Sequence, residues 1–331
     1  MLYLKHVTTA FLLLSAALLS TSYAYAQNKV CAIYPHLKDS YWISVNYGMV
    51  KEAEKEGIEL KVLESGGYPN ISKQKAQLAT CKQWGADAII LGTVSPNAYY
   101  DQIEQVIGDT PIFSTVNKLL VSEKDKDNLK GQVGVDWYWM GYFAGEYLAN
   151  KHPTGSGAVR VGWLPGPKTS GGTKPSTQGF FDAIENSDVV IMRTFWADND
   201  KELQRNLIQQ ALEVPNLDYI VGSAVAIEAA ISETRALNKN RDIGLISTYL
   251  SHGVYRGLLR NKVLFAPTDK MVLQGQLSLM QASAYLKDKE FDELLSPRIE
   301  KLTPDSLNKT IIDESLSPSE FRPIFSIGAT K

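Results

Sequence analysis

From Lys29 onward the chain alternates short continuous apolar runs with longer stretches in which apolar residues recur every three or four positions. The first pattern suits strands buried on both faces, the second helices that bury one stripe. A strand over 30–34 comes first. Asp39 and Ser40 then cap a helix over 42–56 whose inward face is Trp42, Val45, Met49 and Ala53, and Gly57 stops it. A strand over 58–63 leads to the Gly66-Gly67 turn, a helix over 72–84 stops at Gly85, and a strand follows over 88–91. The same reasoning predicts a helix over 97–107, a strand over 111–113, a surface loop over 122–130, a strand over 133–135 and a helix over 137–150.

A second series opens with a strand over 158–164. Helices over 176–186, 201–212, 225–238 and 252–260 alternate with strands over 189–195, 218–221, 243–248 and 263–265. A helix over 271–287 closes the series, free to return to the first set, and after Pro297 the tail to Lys331 carries no clear period. Repeated strand–helix units predict parallel sheets with crossover helices. The expected fold class is therefore α/β, two doubly wound parallel-sheet lobes in succession.

Residues 1–26 follow a different logic. Lys5 and His6 precede an apolar run from Val7 to Ser20, and Ala24-Tyr25-Ala26 fits a cleavage site. A run of about 14 residues is too short to cross a hydrocarbon layer of about 30 Å as a helix. The reading is a signal peptide over 1–26, export to the periplasm, and a mature chain from near Gln27 with no membrane span; an uncleaved membrane anchor is the alternative.

Composition narrows the function. With 44% hydrophobic and 21% charged residues, the 331-residue chain has an ordinary globular balance and length enough for two cores. A net charge of −2 without a basic stripe argues against a nucleic-acid partner. The two cysteines, Cys31 and Cys81, fall in one strand–helix unit, and in an oxidising compartment they would pair as a disulfide; two buried thiols are the alternative. Neither has a CxxC partner, so redox catalysis and zinc binding find no support.

Catalytic patterns are missing. His36, His152 and His252 stand apart, no G-x-S-x-G occurs, and the loop Gly166–Thr173 places Gly172 where a phosphate loop needs its lysine. We therefore expect no enzyme activity, no cofactor and no metal site. Aromatic residues instead gather at predicted strand-to-helix junctions: Tyr41-Trp42, Tyr68, Trp137, Tyr249 and Tyr255. In open α/β sheets the carboxyl ends of strands face the ligand crevice, and ring faces attract cations at ~0.5–2 kcal/mol each. Asp269 is the acidic residue best placed to complement a positive guest, unless it only caps the helix that follows. Asn117 can donate to an oxygen of the guest or satisfy a turn.

Several separated motifs sharpen this picture. They are Cys31-Ala32-Ile33-Tyr34-Pro35, Asp39-Ser40-Tyr41-Trp42, Asn46-Tyr47-Gly48-Met49, Cys81-Lys82-Gln83-Trp84-Gly85-Ala86, Leu164-Pro165-Gly166-Pro167, and Ser315-Leu316-Ser317-Pro318 with Phe321-Arg322-Pro323. With them, residues 28–325 resemble the type I periplasmic binding protein family of the ribose and galactose receptors, and within it a branch of periplasmic sensors. The resemblance implies a first lobe of 27–135 plus 270–298 and a second of 136–269 plus 299–331. Three crossings near Val135-Asp136, Asp269-Lys270 and Arg298 would join them, with ligand clamped between.

A sugar receptor's first-loop aromatic pair falls on Tyr41-Trp42, its Asp-Arg pair on Asn117-Lys118, a later Asp on Tyr249 and a hydroxyl-binding Gln on Asp269. Hydroxyl acceptors have given way to aromatic surface. The resemblance thus implies a sensor for trimethylamine N-oxide or a similar small methylated amine, partnered by the periplasmic domain of a membrane sensor histidine kinase. The alternative is the solute-binding receptor of an import system for a small amine, betaine or sugar.

Overall fold

Parallel pairing of buried strands builds two sheets in the computed structural model, which describes residues 27–168, 170–238 and 242–328. The signal segment read at 1–26 and the last residues 329–331 lie outside the described residues. The first sheet has β1 (Lys29–Tyr34), β2 (Glu59–Glu64), β3 (Ala88–Leu91), β4 (Ile112–Thr115) and β5 (Leu129–Val133), all parallel. β11 (Leu294–Leu295) and β13 (Ser326–Ile327) complete the order β11-β5-β4-β3-β1-β2-β13. The second sheet has β6 (Val159–Gly166), β7 (Val189–Trp196), β8 (Tyr219–Gly222) and β9 (Gly244–Ser247) in the order β7-β6-β8-β9, again parallel. Strand order reverses beside β1 in one sheet and beside β6 in the other, and ligand crevices open at the carboxyl ends of strands at such points.

The chain leaves the first sheet after β5 and returns to it after β10 (Ala266–Thr268) through helix Met271–Leu286. It leaves again between β11 and β12 (Glu300–Leu302). β10 and β12 pair antiparallel as a ribbon between the sheets. The tail then departs from the expectation that 299–331 stays with the second lobe. Helix Lys309–Ser315 packs on helix 271–286, and β13 adds antiparallel to β2. An open β2 edge would leave backbone groups unpaired, and β13 covers them. Asn46 pins the segment by bonding both the amide (2.9 Å) and the carbonyl (3.1 Å) of Ile324.

Other elements also differ from the pattern read in the sequence. The helix expected over 97–107 shrinks to Ile103–Ile107, because Asp101 takes a left-handed conformation (φ 62°) and interrupts it. The expected loop 122–130 holds a 3-10 helix, Glu123–Asn128, whose buried Asp125 accepts from the amides of Ile103 and Glu104 at 3.2 Å each. The strand expected at 133–135 lies earlier, at 129–133. In place of 263–265 only Phe265 bridges to Ile246, and pairing begins at Ala266, where β12 offers a partner.

Local chemistry explains what positions the site. The helix Ser40–Glu56 starts where Asp39 Oδ1 accepts from the amides of Tyr41 (3.1 Å) and Trp42 (3.3 Å), and it ends at Gly57 with φ 67°. It crosses helix 271–286 with backbones nearly touching. A Cβ on Gly48 would stand 1.9 Å from the carbonyl oxygen of Val272, and one on Gly275 would stand 2.1 Å from that of Val45. The second lobe repeats the device between helices Trp137–Lys151 and Thr173–Ile184. There a Cβ on Gly141 would lie 1.8 Å from Ser176 O.

Cys31 in β1 and Cys81 in helix Ile71–Gln83 are both fully buried and joined by a disulfide. On the loop-entropy account, closing a span of this length stabilises by about 4 kcal/mol. The Cys31→Ser, Cys81→Ser double variant should lower unfolding free energy by ~2–4 kcal/mol in denaturant titration. Gly141→Ala should lower it by ~1–3 kcal/mol through overpacking against backbone that cannot yield. Gly328→Ala, with no atom near its would-be Cβ, should change nothing measurable.

Candidate functional site

Residues at the carboxyl ends of β1, β2, β4 and β5 face those at the carboxyl ends of β6, β7 and β9 across a small cavity. Tyr41, Trp42, Tyr68, Asn117, Trp137 and Tyr249 all line it. Its free space, as traced by the centre of a water-sized sphere, is about 30 Å³. A water needs roughly 10–15 Å³ on that measure, so the cavity suits a guest of a few heavy atoms.

Three rings from separate elements meet here. Tyr41 comes from the first turn of helix 40–56, Trp137 from the first turn of helix 137–151, and Tyr249 from the segment after β9. Their centroids lie 6.1 Å apart for Tyr41–Trp137, 5.4 Å for Tyr41–Tyr249 and 6.0 Å for Trp137–Tyr249. Spacings of 4.5–7 Å in tilted or edge-to-face arrangements are favourable for aromatic pairs. Trp42 forms a further wall. It stacks on Tyr34 at 5.5 Å and lies so close over Gly92 that a Cβ there would be 2.5 Å from the indole. Gly172 serves Trp137 in the same way, at 2.7 Å.

The polar groups divide into satisfied and unsatisfied. Trp42 Nε1 donates to the Tyr68 hydroxyl oxygen at 3.3 Å, and the Asn117 side chain bonds to that oxygen too. Asn117 Nδ2 also donates to the carbonyl of Thr93 at 2.8 Å, so the turn-satisfying role expected of it is present alongside its place in the cavity wall. Trp137 Nε1, the Tyr249 hydroxyl and the acceptor Asn199 Oδ1 are buried and have no hydrogen-bond partner. The Val225 amide lies toward the Tyr249 oxygen, which leaves the phenolic proton unused. Buried donors without acceptors cost about 1–3 kcal/mol each, so two in one small cavity mark where an acceptor belongs.

Burial sets the acidities. The Tyr68 phenol is pushed up to about 12, chiefly by burial and against the pull of its Asn117 and Trp42 donors. Burial also raises Tyr249 and Tyr41 well above the ordinary phenol range, with the Asp269 carboxylate adding to the effect on Tyr41. All three remain neutral donors at physiological pH.

Asp269 and Tyr255 do not line the cavity. Asp269 is wholly buried behind Tyr41, whose hydroxyl donates to its Oδ2. The helix-cap alternative does not describe it either. Lys270 precedes helix 271–286 in a left-handed conformation, with no side-chain cap. Tyr255 sits on helix His252–Leu259 in a surface groove with Tyr47, His252 and Ser317. It lies beyond the first turn of its helix, half-buried against the main core.

Residues missed in the sequence include Asp39, Gly172, Ser176, Asn199 and Thr248, all in the cavity wall. Asp39 was visible only as a helix cap, yet its carboxylate also faces the site. The glycine-rich stretch 166–173 carried the signal for Gly172, through backbone approach to an indole rather than to a phosphate. Among the described residues no His, Cys, Asp and Glu cluster could hold a metal, and no helix is long and apolar enough to cross a membrane.

Comparison with known proteins agrees with this architecture. The chain is 43% identical over 301 residues to the periplasmic protein TorT of Escherichia coli K12, covering 90% of this chain and 84% of that one. It superposes on TorT in crystal structures of the TorS sensor domain–TorT complex. Without ligand the TM-score is 0.86 at 63% identity, and with TMAO it is 0.86 at 64%; each covers 91% of this chain and 100% of the other. An ABC transporter solute-binding protein from Bradyrhizobium sp. BTAi1 with bound bis-tris is 32% identical with a TM-score of 0.75, covering 91% of this chain and 90% of its own. The family pattern described as periplasmic binding proteins and sugar binding domain of the LacI family runs through residues 27–322, and the chain belongs to that family.

Proposed function

We propose that this protein is a periplasmic sensor that holds trimethylamine N-oxide in the aromatic cavity and regulates a membrane sensor histidine kinase of the TorS type controlling anaerobic N-oxide respiration. The observation that carries this reading is the pair of buried, unpartnered donors, Trp137 Nε1 and Tyr249 OH, on two residues that wall a ring-lined cavity sized for a few heavy atoms. The N-oxide oxygen is a strong acceptor that would take both protons. The three methyls on the positive nitrogen suit the faces of Tyr41, Trp42 and Tyr68. The Asp39 carboxylate, on the wall, adds favourable charge on the methyl side. A pyranose would need more room and more hydroxyl partners.

The role is binding, without bond-making. Rings from both lobes surround the guest, so ligand favours the arrangement that brings the lobes together, and closure follows as a population shift. The TorT relative forms a complex with the TorS sensor domain, which supports a kinase as the reader of that shift. Export follows from the signal segment at 1–26, and both relatives named TorT are periplasmic proteins. A transport receptor is the second reading, favoured by the bis-tris-bound solute-binding relative. Affinity capture from solubilised membranes separates the two, recovering a histidine kinase in the first case and a permease in the second.

Titration calorimetry with trimethylamine N-oxide should show saturable binding to the full chain. Trp137→Phe and Tyr249→Phe each keep a ring and remove a donor, and each should weaken binding about tenfold, the equivalent of ~1.4 kcal/mol. Leu203→Ala, on an exposed helix face, should leave affinity unchanged. Unaltered affinity in both phenylalanine variants would sink the proposed pose.

The raised phenol acidities set a pH window. A tyrosine in the unfolded chain ionises near 10, whereas folded Tyr68 keeps its proton to about 12. The folded state therefore binds the proton more tightly. Its stability contribution is complete below about pH 10 and is lost as pH rises through about 12. Affinity should accordingly stay level from about pH 7 to 10, while denaturation midpoints fall between about pH 10 and 12. Calorimetry and urea titration across that range check both statements.

A further inference from the structure

Asp269 is fully buried, yet no cation stands among its partners. Its Oδ2 accepts from the Tyr41 hydroxyl and from Gln274 Nε2 at 2.7 Å, while Oδ1 has no partner. The same Gln274 amide donates to the Asp269 carbonyl at 2.8 Å, which fixes the turn. The neighbouring Lys270 carries its charge elsewhere, to Glu314 at 2.9 Å and Glu300 at 3.7 Å. An unpaired buried carboxylate is expensive for a fold to keep, and its cost falls when a positive group sits nearby.

The position of Tyr41 gives that charge a use. With its hydroxyl tied to Asp269, the ring itself stands in the cavity wall among Trp42, Trp137 and Tyr249. A phenol that donates to a carboxylate is a more electron-rich ring, and so a better host for a cation. The ring also stands between the carboxylate and the guest. The negative charge then acts on the nitrogen without meeting the N-oxide oxygen directly.

We propose that Asp269 is a positioning residue of the cavity: it holds the Tyr41 hydroxyl away from the guest and makes the site select a positively charged methylated nitrogen over a neutral molecule of the same shape. This deepens the reading of the site given above and rests on it. Asp269 thereby acts through Tyr41, from the place where a sugar receptor's residue would touch a ligand hydroxyl.

The test compares two probes of matched shape, trimethylamine N-oxide and uncharged tert-butanol, by calorimetry on the full chain. The unaltered protein should prefer the N-oxide. Asp269→Asn should lower N-oxide affinity about tenfold and leave tert-butanol affinity unchanged, so the ratio collapses. Tyr41→Phe, a milder change that spares the carboxylate, should also lower the ratio. Combined with Asp269→Asn it should add little, because the two act through one bond. Equal weakening of both probes would show a merely structural role and overturn the inference, as would an unchanged ratio in folded variants or no preference in the unaltered chain. Failure of the unaltered chain to bind the N-oxide at all would instead overturn the reading of the cavity, and this inference with it.

Discussion

Backbone contact between helices governs where the rings meet. At Gly48 and Gly275 two helices of the first lobe approach until no side-chain carbon fits between them, and Gly141 does the same in the second lobe. Tyr41 lies seven positions before Gly48 and Trp137 four before Gly141, so at 1.5 Å rise per residue each ring sits within about 10 Å of its crossing. Side-chain packing can adjust by a rotamer change, whereas a carbonyl oxygen against a helix axis cannot. The rings inherit that rigidity. Aromatic hosts need it, since cation–ring attraction falls steeply once the spacing relaxes beyond about 6 Å.

Buried polar atoms without partners occur in several places, Trp163 Nε1 and Gln281 Oε1 among them, and several gather around the cavity. Many buried polar side chains are answered: Asp125 caps a short helix, Gln74 takes the Tyr99 hydroxyl, and Asn46 clamps the tail. On the cavity wall Trp137 Nε1, Tyr249 OH and Asn199 Oδ1 go unanswered, and behind Tyr41 so does Asp269 Oδ1. The two donors suit a guest's acceptor oxygen, while the Asn199 oxygen and the Asp269 anion suit its positive centre. Stability is forgone where the ligand will restore it.

How far this could be read from the chain alone depended on the distance over which each cause acts. Helix Lys201–Leu212 coincides with its prediction because its cap, Asp200, and its apolar period are local. Asp39 was recognised as a cap for the same reason. The aromatic residues at strand ends reached the cavity because strand polarity fixes which loops share the crevice, a rule that needs no coordinates. Asp269 and Tyr255 failed by the margin of one layer. A junction position determines the neighbourhood of a side chain but leaves open which way it turns, and Asp269 turned toward Tyr41, 228 residues away in sequence. The tail was illegible because a two-residue strand such as β13 has no period to detect, and only the exposed edge of β2 gives it a reason to form.

Size limits what such a ligand can do to the lobes. A guest of five heavy atoms reaches at most ~1.5 kcal/mol per atom, or about 7 kcal/mol in total. Driving a two-state equilibrium from 1:99 to 99:1 takes about 5.5 kcal/mol of preference for one state. Nearly all of the available binding energy would then be consumed by closure, leaving weak affinity. The ring contacts between Tyr41 and the pair Trp137 and Tyr249 ease that constraint, because they join the lobes directly at ~0.5–1.5 kcal/mol per pair. With part of closure supplied by the protein's own rings, the open and closed arrangements need differ by only a few kcal/mol. A small methylated guest can then shift their balance and still be held.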